Sequence, residues 1–302
     1  MKPMGIGLSA NGKDLCLATR NEVIRFKDSS ELAYHYPNKR KTYDHLFAPR
    51  AAYYTNALDL HDVGLLQDKV FAVNTLFNCI AEIDHTYSFK PFWKPSFIDS
   101  IVAEDRCHLN GMAIEDEKIK YATAFSKGNS KGHWRARIPN SGIIMDVRDN
   151  SILTDKIFMP HSPKLHNGKL YVLSSATGEL YHIDRENGRA DTILKAGGFV
   201  RGLYMYKDFV FIGHSHLRQQ SKTFDRLEIP KKDQWSGISV WQLSKGEMVG
   251  LIRYENSVKE IYELIGLPDM LRPNILNTDR PEYKSAIMLP NKTYWGEIRP
   301  KE

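Results

Sequence analysis

Asn11-Gly12-Lys13-Asp14-Leu15-Cys16-Leu17-Ala18-Thr19, a tight polar turn running into an apolar strand, is echoed by Gln67-Asp68-Lys69-Val70-Phe71-Ala72-Val73-Asn74-Thr75. The same pattern returns at 116–124, at 167–175 and, more loosely, at 206–214. An apolar run stands just upstream of each copy (6–8, 63–66, 112–114, 163–165 and 203–205), so each unit opens with an antiparallel hairpin. A third strand-like run follows at 22–26, 79–84, 142–147, 179–184 and 237–243.

The equivalent turn positions 13, 69, 118, 169 and 208 lie roughly 40 to 56 residues apart. Units of that length built from short strands are propeller blades, and 302 residues leave room for about six. The expectation is an all-β, six-bladed β-propeller whose last blade is either completed by the tail or left incomplete. The competing fold is a β-sandwich, whose turns would be spaced more closely.

No Pro/Gly/Ser-rich linker divides the chain, so residues 1–302 are read as one domain. The polar stretch 217–234 reads as a loop inserted in blade five. No apolar run approaches the length of a membrane span, and the N-terminus lacks the layout of a secretory signal. Cys16, Cys79 and Cys107 form an odd set without paired spacing, which suits a reducing compartment; the expectation is a cytoplasmic protein. The formal charge of +6 is spread over the chain among 36 acidic residues, so neither nucleic acid nor a membrane is expected as a partner.

In a propeller the innermost strands converge on the axis. Aligned by their turns, the first strands read Met4-Gly5-Ile6, His61-Asp62-Val63, Leu109-Asn110-Gly111, His161-Ser162-Pro163, Val200-Arg201-Gly202 and Lys259-Glu260-Ile261. Asp62, Asn110, Ser162, Arg201 and Glu260 fall at one position, with His61 and His161 just before it and His108 one residue further upstream. Three readings stay open. His61, His108 and His161 are metal-ligand candidates, since imidazoles suit Zn²⁺ or Fe²⁺, while Asp62, Asn110 and Glu260 offer oxygens for Ca²⁺. Alternatively the group lines a metal-free pocket, or it is a polar plug closing the channel.

Arg201 would repel a bare cation and pair with a carboxylate or phosphate, which favours a small anionic molecule or a peptide as ligand. In that pocket Asp62, Asn110, Ser162 and Arg201 are the ligand-binding candidates. The catalytic candidates are His108, His161 and Glu260, with His108 or His161 as general base and Glu260 or Asp62 orienting the ring. Cys107 should diverge from the adjacent His108 and reads as a structural thiol. His214 and His216 share a strand face but begin the insertion and are left out of the site.

The motifs Glu104-Asp105-Arg106-Cys107-His108-Leu109-Asn110-Gly111, Met159-Pro160-His161-Ser162-Pro163 and Gly198-Phe199-Val200-Arg201-Gly202-Leu203 resemble an uncharacterised, mainly bacterial family, a domain of unknown function with a predicted β-propeller. The resemblance spans roughly residues 58 to 267 and implies the fold without implying a reaction or cofactor. Family members carry further strands ahead of the segment matching Pro3-Met4-Gly5. Here blade six would therefore be completed by the tail, through 285–289 and 294–298, or stay open to a second copy or a protein partner. The chain thus reads as a propeller whose axial pocket binds a small anionic or peptide ligand, with hydrolase, lyase or isomerase chemistry on a divalent metal or a histidine base. The alternative is a noncatalytic interaction scaffold using its rim and the 217–234 insertion.

Overall fold

Left-handed backbone at the polar turns sets the strand pairing. Gln67 and Asp68 (φ 46° and 66°), Asp116 and Glu117 (51° and 54°) and Asn167 and Gly168 (50° and 73°) each place two consecutive residues at positive φ. That conformation closes a two-residue hairpin whose twist matches its strands. The computed structural model that carries these turns describes residues 3–217, 224, 226, 227, 229 and 234–297.

Five antiparallel meanders result. The first is β1 (Gly5–Leu8), β2 (Asp14–Ala18), β3 (Glu22–Asp28) and β4 (His45–Tyr54). Next come β5 (Leu60–Leu66), β6 (Lys69–Asn74), β7 (Cys79–Ile83) and β8 (Lys90–Trp93). The third is β9 (Leu109–Glu115), β10 (Lys118–Ala124), β11 (Ile143–Asp146) and β12 (Ile152–Thr154). The fourth is β13 (Pro160–His166), β14 (Lys169–Ser174), β15 (Glu179–Ile183) and β16 (Ala190–Lys195). The fifth is β17 (Phe199–Tyr206), β18 (Phe209–Ser215), β19 (Gly237–Gln242) and β20 (Glu247–Arg253). Apolar layers between neighbouring sheets hold the blades together: Val23 with Val63 and Ala72, Val73 with Leu109 and Met145, Ile144 with Val172, and Leu173 with Val200 and Ile212. Removing such side chains from water is the main favourable term in the fold.

The described residues form a β-propeller with five blades, which corrects the expected six. The segment 259–267, expected to open blade six, forms no strand. It runs extended in the sixth position, between blade five and blade one. On one side Ile261 N donates to Ser215 Oγ (2.8 Å), and a Cβ on Gly202 (φ 79°) would stand 3.0 Å from the Glu263 carbonyl carbon. On the other side Ile265, Leu267 and Met270 pack on Leu15, Ile24, Phe26 and Phe47 of blade one.

The tail then leaves the axis, and its described strands pair elsewhere without widening this segment into a blade. β21 (Pro273–Ile275) pairs in parallel with His45–Phe47 of β4, extending blade one to five strands. β22 (Ala286–Met288) and β23 (Thr293–Trp295) pair only with each other and pack by Trp295 on Leu32 and Tyr36, beside the short helix α1 (Ser30–Tyr34). The expected closing strands at 285–289 and 294–298 are thus a hairpin on blade one, with Ile298 outside the described residues. Among the described residues no helix is long and apolar enough to cross a membrane. The three cysteines are buried free thiols.

Candidate functional site

Each inner strand from β5 to β17 is interrupted at one station. Against their second strands, β5 carries an extra residue at His61, β9 at Asn110, β13 at Ser162-Pro163 and β17 at Arg201-Gly202. A β-bulge re-aims side chains and bends its strand, so three of the polar positions aligned in the sequence, Asn110, Ser162 and Arg201, sit at bulges, while in β5 the bulge falls one residue earlier, at His61. The bulges separate residues that the sequence reading had grouped.

His61, His108, His161 and Arg201 line one cavity of about 390 Å³ at the end of the axis where the inner strands begin. The imidazoles of His61 and His108 meet edge to face, with ring centroids 4.9 Å apart. Met4, Arg20, Asp59, Asp105, Phe125, Trp134, Arg135, Phe199, Phe224 and Tyr262 complete the wall. Phe224 belongs to the 217–234 insertion, most of which lies outside the described residues. With Leu227 and Ile229 it packs on the Phe125, Trp134 and Phe199 cluster, so the described part of the insertion supplies one side chain, Phe224, to the wall of this cavity.

All three histidines are held from behind through Nδ1. Thr75 Oγ1 gives its one proton to the Leu109 carbonyl (2.6 Å), so it accepts from His61 Nδ1 (2.7 Å). Ser162 Oγ donates toward Glu263 Oε2 (3.4 Å) and accepts from the Gly202 amide (2.9 Å) and from His161 Nδ1 (3.1 Å). Asp105 Oδ2 accepts from His108 Nδ1 (3.1 Å) and from Trp134 Nε1 (2.9 Å). These partners fix the neutral tautomer with Nε2 as the acceptor in His61 and His161, and turn the same nitrogen away from Asp105 in His108. Burial pushes the His61 pKa down, against the pull of Asp59. Burial, with Arg201 next, pushes His161 well below the usual imidazole range. Burial alone would raise Asp105, but the charge and hydrogen bond of His108, with Trp134, hold it below the ordinary carboxylate value.

The remaining candidates fall elsewhere. Glu260 stands beside Arg201, its Oε2 3.7 Å from Nη2, and accepts from the Tyr262 hydroxyl. Arg201 also lies over the Tyr262 ring, 4.3 Å from the centroid. The carboxylate against a catalytic candidate's ring is therefore Asp105 on His108, where the sequence reading had named Glu260 or Asp62. Ser162 supports His161. Asn110 is buried and accepts from Thr123 Oγ1 (2.7 Å). Asp62 turns away from His61: its oxygens accept from the amides of Val63 (2.9 Å) and Met112 (3.0 Å), and it lines a separate cavity of about 480 Å³ at the opposite end of the axis.

Lys164 lines that second cavity too, 3.5 Å from Glu263 Oε1. Burial pushes the Asp62 and Glu263 carboxyls up, eased by Lys164, while the two carboxylates raise Lys164 against its own burial. Neither Lys164 nor Glu263 was singled out from the sequence. Lys164 follows the bulge at Ser162-Pro163, and that offset was the one available signal for it.

Among the described residues no three His, Cys, Asp or Glu side chains are arranged to hold one metal ion. The metal-ligand expectation for His61, His108 and His161 finds no such geometry here. Cys107 is the expected structural thiol: it is buried beside Asn78, and burial pushes its pKa up. His214 is buried in blade five, stacked on Trp235 (centroids 4.0 Å) with Nε2 on Ser239 Oγ (2.8 Å), and burial lowers its pKa to about 4.

A family model described as "Domain of unknown function (DUF4915)" matches residues 1–276. No curated protein matches the sequence. A chain of a nidogen/laminin complex superposes with a TM-score of 0.52 at 9% identity, over 83% of this chain and 80% of that one. The β-propeller domain of Myceliophteria thermophila Cps50 (Swd1) superposes with a TM-score of 0.47 at 12% identity, over 83% and 73% of the two chains. At such identities the first likeness concerns the fold alone.

Proposed function

We propose, since the chain belongs to that family of unknown function and the family brings no reaction with it, that the protein binds a small anionic molecule or peptide in the histidine-lined axial cavity. One observation carries this: Arg20, Arg135 and Arg201 border a single volume walled by aromatic residues. Guanidinium groups recognise carboxylates and phosphates through paired N–H donors, and aromatic walls take the apolar or planar remainder of a ligand. Of the two carboxylates of the wall, Asp105 is turned into the protein and Asp59 is half exposed. Asp105 holds His108 and Trp134, and Asp59 Oδ1 lies 4.0 Å from His61 Nδ1. Neutral His61 and His161 would accept hydrogen bonds from ligand N–H or O–H groups through Nε2.

The same cavity carries the parts for acid–base chemistry. His108 backed by Asp105 is the proposed general base, His161 the second, and Glu260 acts through Arg201 by fixing its orientation. This chemistry fits hydrolysis, elimination or isomerisation of the bound anion. Three buried free thiols support a cytoplasmic setting.

The test is thermal-shift and calorimetric titration of the intact chain with phenyl phosphate, benzoate and inorganic phosphate. Phenyl phosphate is expected to bind best, and Arg201→Gln to weaken it by about ten- to a hundredfold, the worth of a charge-assisted hydrogen bond. Absence of any shift with all three anions, or affinities unchanged in both Arg201→Gln and Arg135→Gln, would overturn the reading.

A further inference from the structure

The end of the blade series leaves an outer strand uncovered. β20 pairs with β19 on one side, and among the described residues nothing pairs with its other edge. The outer strand of blade one is covered by β21, and those of blades two to four, β8, β12 and β16, also end their sheets but are shorter than β20, with proline inside β8 and a charge inside β16. Met248, Val249, Leu251 and Ile252 are each about half exposed, from 51% to 53%. Neighbouring residues of a strand point to opposite faces, so apolar surface lies on both sides of this edge. An edge of that kind is a template for another strand, and proteins that keep such edges single blunt them with charge, proline or a cover. In β20 the charges stand only at the two ends, Glu247 and Arg253.

The order of residues says which strand fits. Read outward from Gly250, β20 presents Val249 and Leu251, then Met248 and Ile252, then Glu247 and Arg253. An antiparallel copy related by a two-fold axis at Gly250 meets apolar with apolar on both faces, and each Glu247 meets the other copy's Arg253. The glycine at the axis presents no side chain to its counterpart. A β-bulge at Val249 lies beside the axis in each copy, so register is carried by the two end pairs, where opposite charges attract across strands. This is the self-complementary pattern that an isologous two-fold interface requires.

We propose that this chain forms a two-fold dimer in solution by antiparallel pairing of β20 with the same strand of a second copy. The two blades join into one eight-stranded sheet across the axis. The pairing lies at the outer edge of blade five, apart from the axial cavity, so the dimer stands or falls independently of ligand binding.

Sedimentation equilibrium of the whole chain over a micromolar to millimolar range tests it. The wild type is expected to follow a monomer–dimer equilibrium. Glu247→Arg and Arg253→Glu, each placing like charges at both ends of the pairing, are expected to weaken it by about tenfold or more. The double swap Glu247→Arg with Arg253→Glu restores opposite charges and is expected to return the constant to near the wild-type value. Both side chains are exposed, and far-UV circular dichroism checks that each variant keeps its strands. A wild type that stays monomeric throughout, single swaps without effect, or a double swap that fails to recover would overturn the proposal, and the first would leave the edge to a different protein partner.

Discussion

Asp105 stands behind His108 as its anchor: Oδ2 accepts from Nδ1 at 3.1 Å while the same oxygen accepts from Trp134 Nε1 at 2.9 Å, and the His108 and Trp134 rings lie tilted at 33° with centroids 4.1 Å apart. One carboxylate thus sets the plane of both rings, and His108 itself sits at φ 55°. Non-glycine residues in that region persist where their surroundings hold them, which ties the imidazole at the cavity wall to this oxygen.

Asp105→Ala is expected to cost about 1–3 kcal/mol, because two buried donors lose one acceptor. The sign with pH follows from its depressed pKa. The carboxylate's contribution is full above the unfolded value of about 3.9 and is lost as pH falls through the lower folded value. Urea denaturation from neutral pH into the acid range should show the variant's deficit narrowing below about pH 4, whereas a deficit independent of pH would count against an ionised Asp105.

His161 predicts a different acid response. Its folded pKa is lowered, so below the unfolded value of about 6.5 the unfolded chain takes up a proton that the folded site refuses. Stability should therefore decline as pH falls from about 7 toward 5, with His61 acting in the same direction. His161→Gln is expected to flatten this decline in a thermal-melt series, and an unchanged slope would mean that His161 is not held neutral.

Lys164 gives the opposite slope. Lys164→Met leaves Asp62 and Glu263 buried together without their cation, an arrangement expected to cost about 3–5 kcal/mol at neutral pH. Both carboxyls are pushed up, so in the variant a bound proton substitutes for the lost charge as pH falls. The variant's loss relative to wild type should shrink from pH 8 to pH 5, and adding Glu263→Gln should recover part of the stability at pH 8.

Gly202→Ala tests the sixth position of the ring. At φ 79°, with a Cβ 3.0 Å from the Glu263 backbone, the substitution combines strain with collision. A loss of about 1–3 kcal/mol is expected, together with faster amide exchange at Ile261 and Leu264, whose N–H groups bond Ser215 and Glu263. Unchanged exchange would show that the segment does not lean on β17.

The meander units, their turns and the approach of three distant histidines to one volume were legible in the chain. Each rests on local rules: paired left-handed turn residues such as Asn167-Gly168, period-two apolar strands and a repeat of blade length. Asp62, by contrast, was aligned with Arg201 and stands next to His61, yet faces the other end of the axis, because strand neighbours diverge and β5 bulges at His61. Asp105 and Trp134 carried no spacing signal, since their meeting with His108 depends on a loop and a turn of 3-10 helix folding over the end of blade three.

The sequence by itself determined the five repeated hairpins and the third strand that follows each, because hydrogen-bonding pattern and side-chain alternation are properties of neighbouring residues. Only the tertiary structure decided that the ring closes with five blades and the extended segment 259–267, and which polar groups share a cavity. Those outcomes turn on packing between elements far apart in the chain, where Ile265 and Leu267 reach blade one and Glu263 reaches Lys164.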